Sequence, residues 1–336
     1  MNLFLFFKTH KFLTKCVFSF LIFPFIFTIL YANAENTVLA KTVSDVLTSV
    51  VYIAVDKQDA NFSTQVTGEG FVNSENGYVV SAASLVNEST SITVTLNDKR
   101  EFKANIIGID NSSNLALLKI DVTGLSPAKI GEPQKLKVNE TVFAIREFPD
   151  GLVGKFSEGI VSNKQMQKKS FYGFLQTTVP LNLGMGGGPL FSSEGKVIGI
   201  NMAIYSPSTK KIMSFAIPID AAMNVASELR QNGRVQHGTL GLMLEEVDAS
   251  LAKAFKISNS TGALVNEAKI GMPAALAGIV KGDIILRIAN QTVAHPNEVS
   301  DIVRPLKPGT TVTVEVMRKR NKRLEKLDLV VAEATN

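Results

Sequence analysis

The sequence predicts an all-β body, sandwich or barrel, followed by a second domain that mixes strand and helix, and three observations carry that reading. Short runs of β character recur from Val50 to Ile217 with turn residues between them. A single helical pattern, about Asp220 to Asn232, then closes the body. After a linker, Gly233 to Gly238, apolar residues at Val299, Ile302, Val303 and Leu306 fall on one face of a further helix.

The elements follow in order. Val50 to Val55 reads as a strand, and Gly70 to Val72 and Tyr78 to Ser81 as short ones. Ile92, Val94 and Leu96 alternate with Ser91, Thr93 and Thr95 before Asn97-Asp98 turns the chain into Glu101 to Gly108, a hairpin. Strands are further expected at Leu115 to Ile120, Thr141 to Ile145, Gly159 to Asn163, Lys196 to Ala203 and Met213 to Ile217. Asp220 is the expected N-cap of the closing helix and Gly233 its stop. In the second domain Pro273 suits the first turn of a short helix, Gly278 its end, and Gly282-Asp283 the turn into a strand rich in Ile and Leu. A longer helix is expected to begin near Pro296.

Residues 1–34 set Lys8, Lys11 and Lys15 before an apolar run, Val17 to Leu30, and the small-residue pattern Ala32-Asn33-Ala34, which predicts a secretory signal peptide. The run contains Pro24 and is shorter than the about 20 residues a membrane span needs, so an uncleaved inner-membrane anchor is the alternative. Cys16, the sole cysteine, lies in this leader, which excludes disulfides and thiolate chemistry from the mature chain. Lys and Arg total 35 against 30 Asp and Glu. The leader lysines account for much of that excess, so a nucleic-acid partner is not expected. The three histidines are His10, His237 and His295. His295 reads as a surface residue; no metal site and no cofactor is expected. Arg318, Lys319, Arg320, Lys322, Arg323 and Lys326 cluster around Asn321 as a solvated hairpin tip, or as an attraction to anionic headgroups.

Gly184-Met185-Gly186-Gly187-Gly188-Pro189-Leu190 resembles the Gly-Asn-Ser-Gly-Gly-Pro-Leu loop of trypsin-like proteases, with Gly186 where the nucleophile would stand. The stretch from Gly77 to Val86 is similar to the HtrA-family segment that presents the general base, with Ser84 at the histidine position. Gly108 to Ile120 resembles the family's aspartate segment, with Asn114 at the aspartate. The likeness runs from about Val43 to Ala332 and implies two six-stranded barrels: an all-β trypsin-like double β-barrel followed by an α+β PDZ domain. The implied divisions are 1–34 for the signal peptide, 35–233 for the protease-like domain and 234–336 for the PDZ domain. The PDZ resemblance rests on Ile270 to Leu286. It implies that Thr239-Leu240-Gly241-Leu242 takes a peptide carboxylate while the peptide adds as a strand. Thr239 stands where the family usually has an aromatic residue.

By this resemblance the triad positions are Ser84, Asn114 and Gly186, and none can fill its role; only an oxyanion-loop remnant, the N–H groups of Gly184 and Gly186, is left. No histidine lies between Val38 and Gln236. Losing the nucleophile alone costs roughly a millionfold in turnover in a related hydrolase. A rescue would need a Ser-Lys pair, for which Lys119, Lys155 and Lys164 are the lysines considered. Arg146 to Leu152 departs from the family's regulatory loop, and Thr209 to Ser214 is expected to crowd the specificity pocket. The chain is therefore expected not to be an enzyme: a degenerate serine endopeptidase, a periplasmic HtrA-like pseudoprotease acting as scaffold, holdase or regulator of protein quality control. Its expected partners are unfolded proteins or C-terminal peptides and an active HtrA paralogue, and its expected assembly is a homotrimer. The alternatives are an active endopeptidase with a non-standard nucleophile and a membrane-anchored PDZ adaptor.

Overall fold

The computed structural model describes residues 41–59, 62–146, 155–165, 173–181, 186–206, 210–257 and 261–334. The leader, Gly184, residues 147–152 of the expected regulatory loop, and Thr209 lie outside the described residues.

Strands β1 (Val50–Asp59), β2 (Phe62–Val72), β3 (Tyr78–Ala82), β4 (Ser89–Leu96), β5 (Glu101–Asp110) and β6 (Leu115–Ile120) close a barrel in the order β1-β2-β3-β6-β5-β4. A second closed barrel has the order β10-β11-β12-β9-β8-β7, built from β7 (Thr141–Arg146), β8 (Lys155–Gln165), β9 (Phe174–Thr177), β10 (Pro189–Ser192), β11 (Val197–Ser206) and β12 (Lys211–Pro218). Closure removes the exposed sheet edges that short strands of this kind would otherwise present. The double barrel expected from the resemblance is therefore the observed fold.

Alternation explains which residues go inside. Val51, Ile53 and Val55 of β1 point into the first barrel with Val72, Val79, Leu118 and Ile120. Val142, Ala144, Val161, Leu175 and Leu190 fill the second. The seam is aromatic: Phe71, Phe143 and Phe191 are fully buried, and the Phe143 and Phe191 rings stack with centroids 5.2 Å apart. Truncating one such ring to alanine costs about 3–5 kcal/mol.

Two expectations are corrected here. The first hairpin is longer than foreseen, because β1 and β2 pair out to Asp59 and Phe62. Beyond the barrel wall the outer part of the ribbon is solvated, so the alternation that marks a strand fades while the ladder continues. The closing helix, Ile219–Asn232, does not use Asp220 as its N-cap. Strand β12 runs into it directly through Pro218, and Asp220 sits in the first turn, where its carboxylate accepts a hydrogen bond from Gln134 Nε2. Gly233 ends it in left-handed backbone, as expected. A short helix, α1 (Ala83–Val86), follows β3; the closing helix is α2.

After β13 (Gly238–Thr239), a second sheet has the order β14-β15-β16-β18-β19, from β14 (Leu242–Glu246), β15 (Ala263–Ala268), β16 (Ile284–Ile288), β18 (Thr311–Met317) and β19 (Leu324–Val330). β17 (Gln291–Thr292) pairs with β16, and β20 (Ala332–Glu333) with β13. Helices α3 (Ala249–Phe255), α4 (Pro273–Leu276) and α5 (Pro296–Val303) complete it. Val299 and Val303 of α5 bury against Ala263, Val265, Ile285 and Val314. The basic cluster does form the tip between β18 and β19, but Arg318 is not solvated. It is buried, donating to Asp283 Oδ2 at 2.9 Å, to Glu325 Oε2 at 2.6 Å and to the Gly278 carbonyl at 2.7 Å.

Candidate functional site

Ser84, Asn114 and Gly186, far apart in sequence, line one cleft of about 480 Å³ where the barrels meet. Ser84 is in α1, at the end of β3. Asn114 follows a tight turn that Asp110 organises by accepting the N–H groups of Ser112 and Ser113, each at 3.2 Å. Asn114 has φ 55°, a left-handed conformation that asparagine tolerates better than most residues. Its side-chain oxygen accepts the backbone N–H of Ser84 at 2.8 Å, and its carbonyl that of Ala83 at 3.0 Å.

The glycine loop is held from both sides. Gly187 N–H donates to the Asn201 carbonyl at 3.0 Å, and Asn201 N–H to the Gly188 carbonyl at 2.9 Å. A Cβ on Gly187, which has φ 89°, would lie 2.5 Å from Ala82 N, so this position requires glycine. At Gly186 the nearest atom to such a Cβ is the Asn201 carbonyl oxygen at 4.0 Å, so a side chain there has room. Behind the loop lies the buried carboxylate of Glu69, 2.5 Å from where a Gly188 Cβ would stand and 3.8 Å from Arg146 Nε of the other barrel. Arg146 thus reaches inward across the seam.

The lysines considered for a Ser-Lys pair do not reach this cleft. Lys164 Nζ donates to the carbonyls of Gln134 and Leu136, and Lys119 Nζ to that of Ile120; the side chain of Lys155 lies outside the described residues. The lysine that lines the cleft is Lys57, whose Nζ donates to the Ser84 carbonyl at 3.4 Å. It was missed, although it has the parity of Val51, Ile53 and Val55, the inward face of β1. Lys211 and Ile212, expected to crowd a specificity pocket, instead pair with Ser206 and Tyr205 at the far end of the β11–β12 hairpin and are exposed. A second cavity of about 360 Å³ shares Asn114, Met202 and Ile204 with the cleft and is lined by Phe174, Phe215 and Ile217.

His237 is not a plain linker residue. It is buried, and its Nε2 lies 2.8 Å from Asp110 Oδ1, 127 residues away in sequence. His295 is exposed, with Nδ1 3.3 Å from Glu246 Oε2.

The residues of the expected carboxylate loop lead from β13 into β14. Leu240 is buried, its carbonyl accepting Ala274 N–H at 3.0 Å, while the Gly241 carbonyl accepts Lys269 N–H at 2.9 Å. Thr239 Oγ1 accepts the Gly241 N–H at 3.1 Å. Gly241 has φ 72°, and a Cβ on it would collide with Met272 Cβ. Leu242 opens β14, which pairs with β15 on one side and ends the sheet on the other.

A trypsin-like peptidase domain model matches residues 68–200, and a PDZ domain model matches residues 238–329. A probable periplasmic serine endoprotease, DegP-like, from Halomonas elongata is 39% identical over 254 residues, 75% of this chain and 53% of that protein. A protein of the same name from Pseudomonas savastanoi pv. phaseolicola is 39% identical over 271 residues, 79% of this chain and 56% of that one. The chain spans about half the length of the curated relatives it matches. The solved structure of the HtrA-type protease AlgW with decapeptide superposes with a TM-score of 0.75 at 25% identity, covering 89% of this chain and 99% of its own. The serine endoprotease from Yersinia pestis gives 0.69 at 28% identity, covering 88% and 98%.

These relatives correct the expectation that the chain is not an enzyme. They are named serine endoproteases, and the solved neighbours are HtrA-type proteases, so the family is one of enzymes. That expectation weighed a Ser-Lys rescue only through Lys119, Lys155 and Lys164 and took no account of Lys57, the amine that the fold brings beside Ser84. Among the described residues no helix is long and apolar enough to cross a membrane. The protein is periplasmic, like its relatives, and the chain belongs to the HtrA/DegP-like family of trypsin-like peptidases that carry a PDZ domain.

Proposed function

We propose that the chain binds unfolded or C-terminally exposed segments of periplasmic proteins and serves protein quality control as a scaffold, holdase or regulator of a relative. The observation that carries this reading is the outer edge of β14, which ends its sheet beside the Thr239–Leu242 loop and lies against α5. An extended peptide would add to that edge by backbone hydrogen bonds, with Thr239, Leu240, Gly241 and Leu242 receiving its terminal carboxylate. A second edge supports the same reading. Past Asn201, strand β11 pairs with β12 on one side, while among the described residues no strand pairs with Ala203 on the other, which faces the cleft. The division into a barrel domain, 35–233, and a PDZ domain, 234–336, belongs to this proposal. So does a homotrimer, for which Phe62, 77% exposed at the tip of the first hairpin, is the apolar contact at hand.

Endoproteolysis, the activity the relatives' names carry, is the second reading, and Lys57 beside Ser84 is the observation that favours it. Ser84 Oγ would attack the peptide carbonyl while Lys57, acting as a free amine, takes its proton and returns it to the leaving amine; water would then hydrolyse the acyl ester and restore the Ser84 hydroxyl. In this reading Ser84, Asn114 and Gly186 occupy the family's triad positions, and Ser84 acts from the base's place.

Two assays on the purified chain from Glu35 onward test both. Binding of a labelled peptide with a free C-terminus, lost on blocking that terminus as an amide, is the result expected of the PDZ loop in the first reading; indifference to the terminus overturns the loop's part in it, and binding of neither form overturns the reading. Cleavage of an unfolded protein that disappears in Ser84→Ala and in Lys57→Met supports the second, and cleavage unchanged in both rejects that pair.

A further inference from the structure

The lining of the interbarrel cleft carries an electrostatic asymmetry. Lys57 is the one charged side chain among the described residues that line it; Thr67, Ser84 and Asn114 are polar and neutral, and the others are apolar or glycine. Acids near the cleft are turned elsewhere. Asp56, on the opposite face of β1, accepts Gln65 Nε2 at 2.9 Å; Glu69 lies behind Gly188 with Arg146; Asp110 meets His237. Among the described residues no carboxylate pairs with Lys57, whose Nζ donates instead to the neutral Ser84 carbonyl. The ammonium therefore faces a partly enclosed space with nothing of opposite sign in it. Beside that space, the cavity lined by Phe174, Phe215, Ile204 and Ile217 is of a size for one large apolar side chain.

We infer that the cleft selects an extended peptide segment bearing a carboxylate next to a large apolar residue, the carboxylate on Lys57 and the apolar side chain in the Phe174–Phe215 cavity. This rests on the reading of the cleft as a peptide site and adds the class of peptide. The carboxylate is that of an Asp or Glu side chain or of a chain terminus; both offer the same acceptor to an ammonium, and a charge-assisted hydrogen bond of this kind is among the stronger ones. Lys57 is a specificity-determining residue in this role, independent of any part in bond cleavage.

The test is fluorescence anisotropy with short peptides on the chain from Glu35 onward. Peptides acetylated and amidated at their ends present no terminal carboxylate to the PDZ loop and report the cleft. A capped peptide with Glu beside Phe is expected to bind roughly ten- to a hundredfold tighter than its Gln counterpart. That preference is expected to vanish in Lys57→Met and to invert toward a Lys-containing peptide in Lys57→Glu, with both variants melting like the parent. A free-acid peptide without Glu, measured on Gly241→Ala so that the PDZ loop is disabled, tells the two carboxylate sources apart. Equal binding of Glu and Gln peptides, or a preference that survives Lys57→Met, overturns the selectivity while leaving the cleft a peptide site. Failure of every capped peptide to bind overturns the cleft reading as well.

Discussion

Asn114 Oδ1 accepts the backbone N–H of Ser84 at 2.8 Å, tying two segments 30 residues apart across the mouth of the first barrel. An aspartate in the same left-handed position would present its carboxylate to the same N–H and to any imidazole built on Ser84.

Ser84→His, Asn114→Asp and Gly186→Ser together are expected to raise cleavage of an unfolded protein by about a hundredfold or more over the natural chain, still below what a mature triad supplies. Space for the new Cβ at Gly186 is already present. Release of labelled fragments from a reduced substrate measures it, with Gly186→Ser alone as the comparison.

Gly241→Ala is expected to weaken binding of a free C-terminal peptide at least about tenfold while leaving capped peptides unaffected. Left-handed backbone and the collision with Met272 both disfavour any side chain there. Anisotropy titrations of the two peptide types against one preparation check this.

Acid is expected to loosen the second sheet through Glu325. The hydrogen bond from the Arg318 guanidinium holds its carboxyl below the ordinary glutamate range, against a smaller opposing effect of desolvation. Because the folded value is depressed, this stabilisation is complete above the unfolded value of about 4.3 and is lost as pH falls through the folded one. Arg318→Met should lower the melting temperature at neutral pH and flatten its acid dependence, read by calorimetry of the chain at several pH values.

His237→Ala is expected to destabilise the chain by about 1–3 kcal/mol, because the buried carboxylate of Asp110 then loses its imidazole partner. Urea unfolding followed by circular dichroism measures the loss. Since Asp110 also sets the turn before Asn114, the same variant should weaken capped-peptide binding.

How much was legible depended on the range of the interaction. Val51, Ile53 and Val55 announce β1 by alternation, and Gly233 announces the end of α2, because these signals are local to a strand or a helix end. Lys57 was equally legible in principle, since it continues that alternation, but an inward charge at a strand end reads as exposed until the opposite barrel is known to cover it. The link between His237 and Asp110 left no local trace: neither sits in a pattern, and only closure of the first barrel against the linker brings them together. Asp220 shows the converse. It carries a capping residue's chemistry, yet β12 leaves no loop before α2 for it to cap.

The buried pair of His237 and Asp110 also sets an order of events during export. A chain crossing the membrane from its N-terminus delivers Asp110 long before His237, and β20 holds the linker from the far side: Glu333 accepts an ion pair from Arg234 at 3.1 Å, and Ala334 N–H meets the His237 carbonyl at 2.8 Å. The carboxylate of Asp110 thus gains its histidine only after a further 127 residues have been made. Chains truncated before β20 should be more protease-sensitive than the parent, because the strand that anchors the His237 linker is then missing.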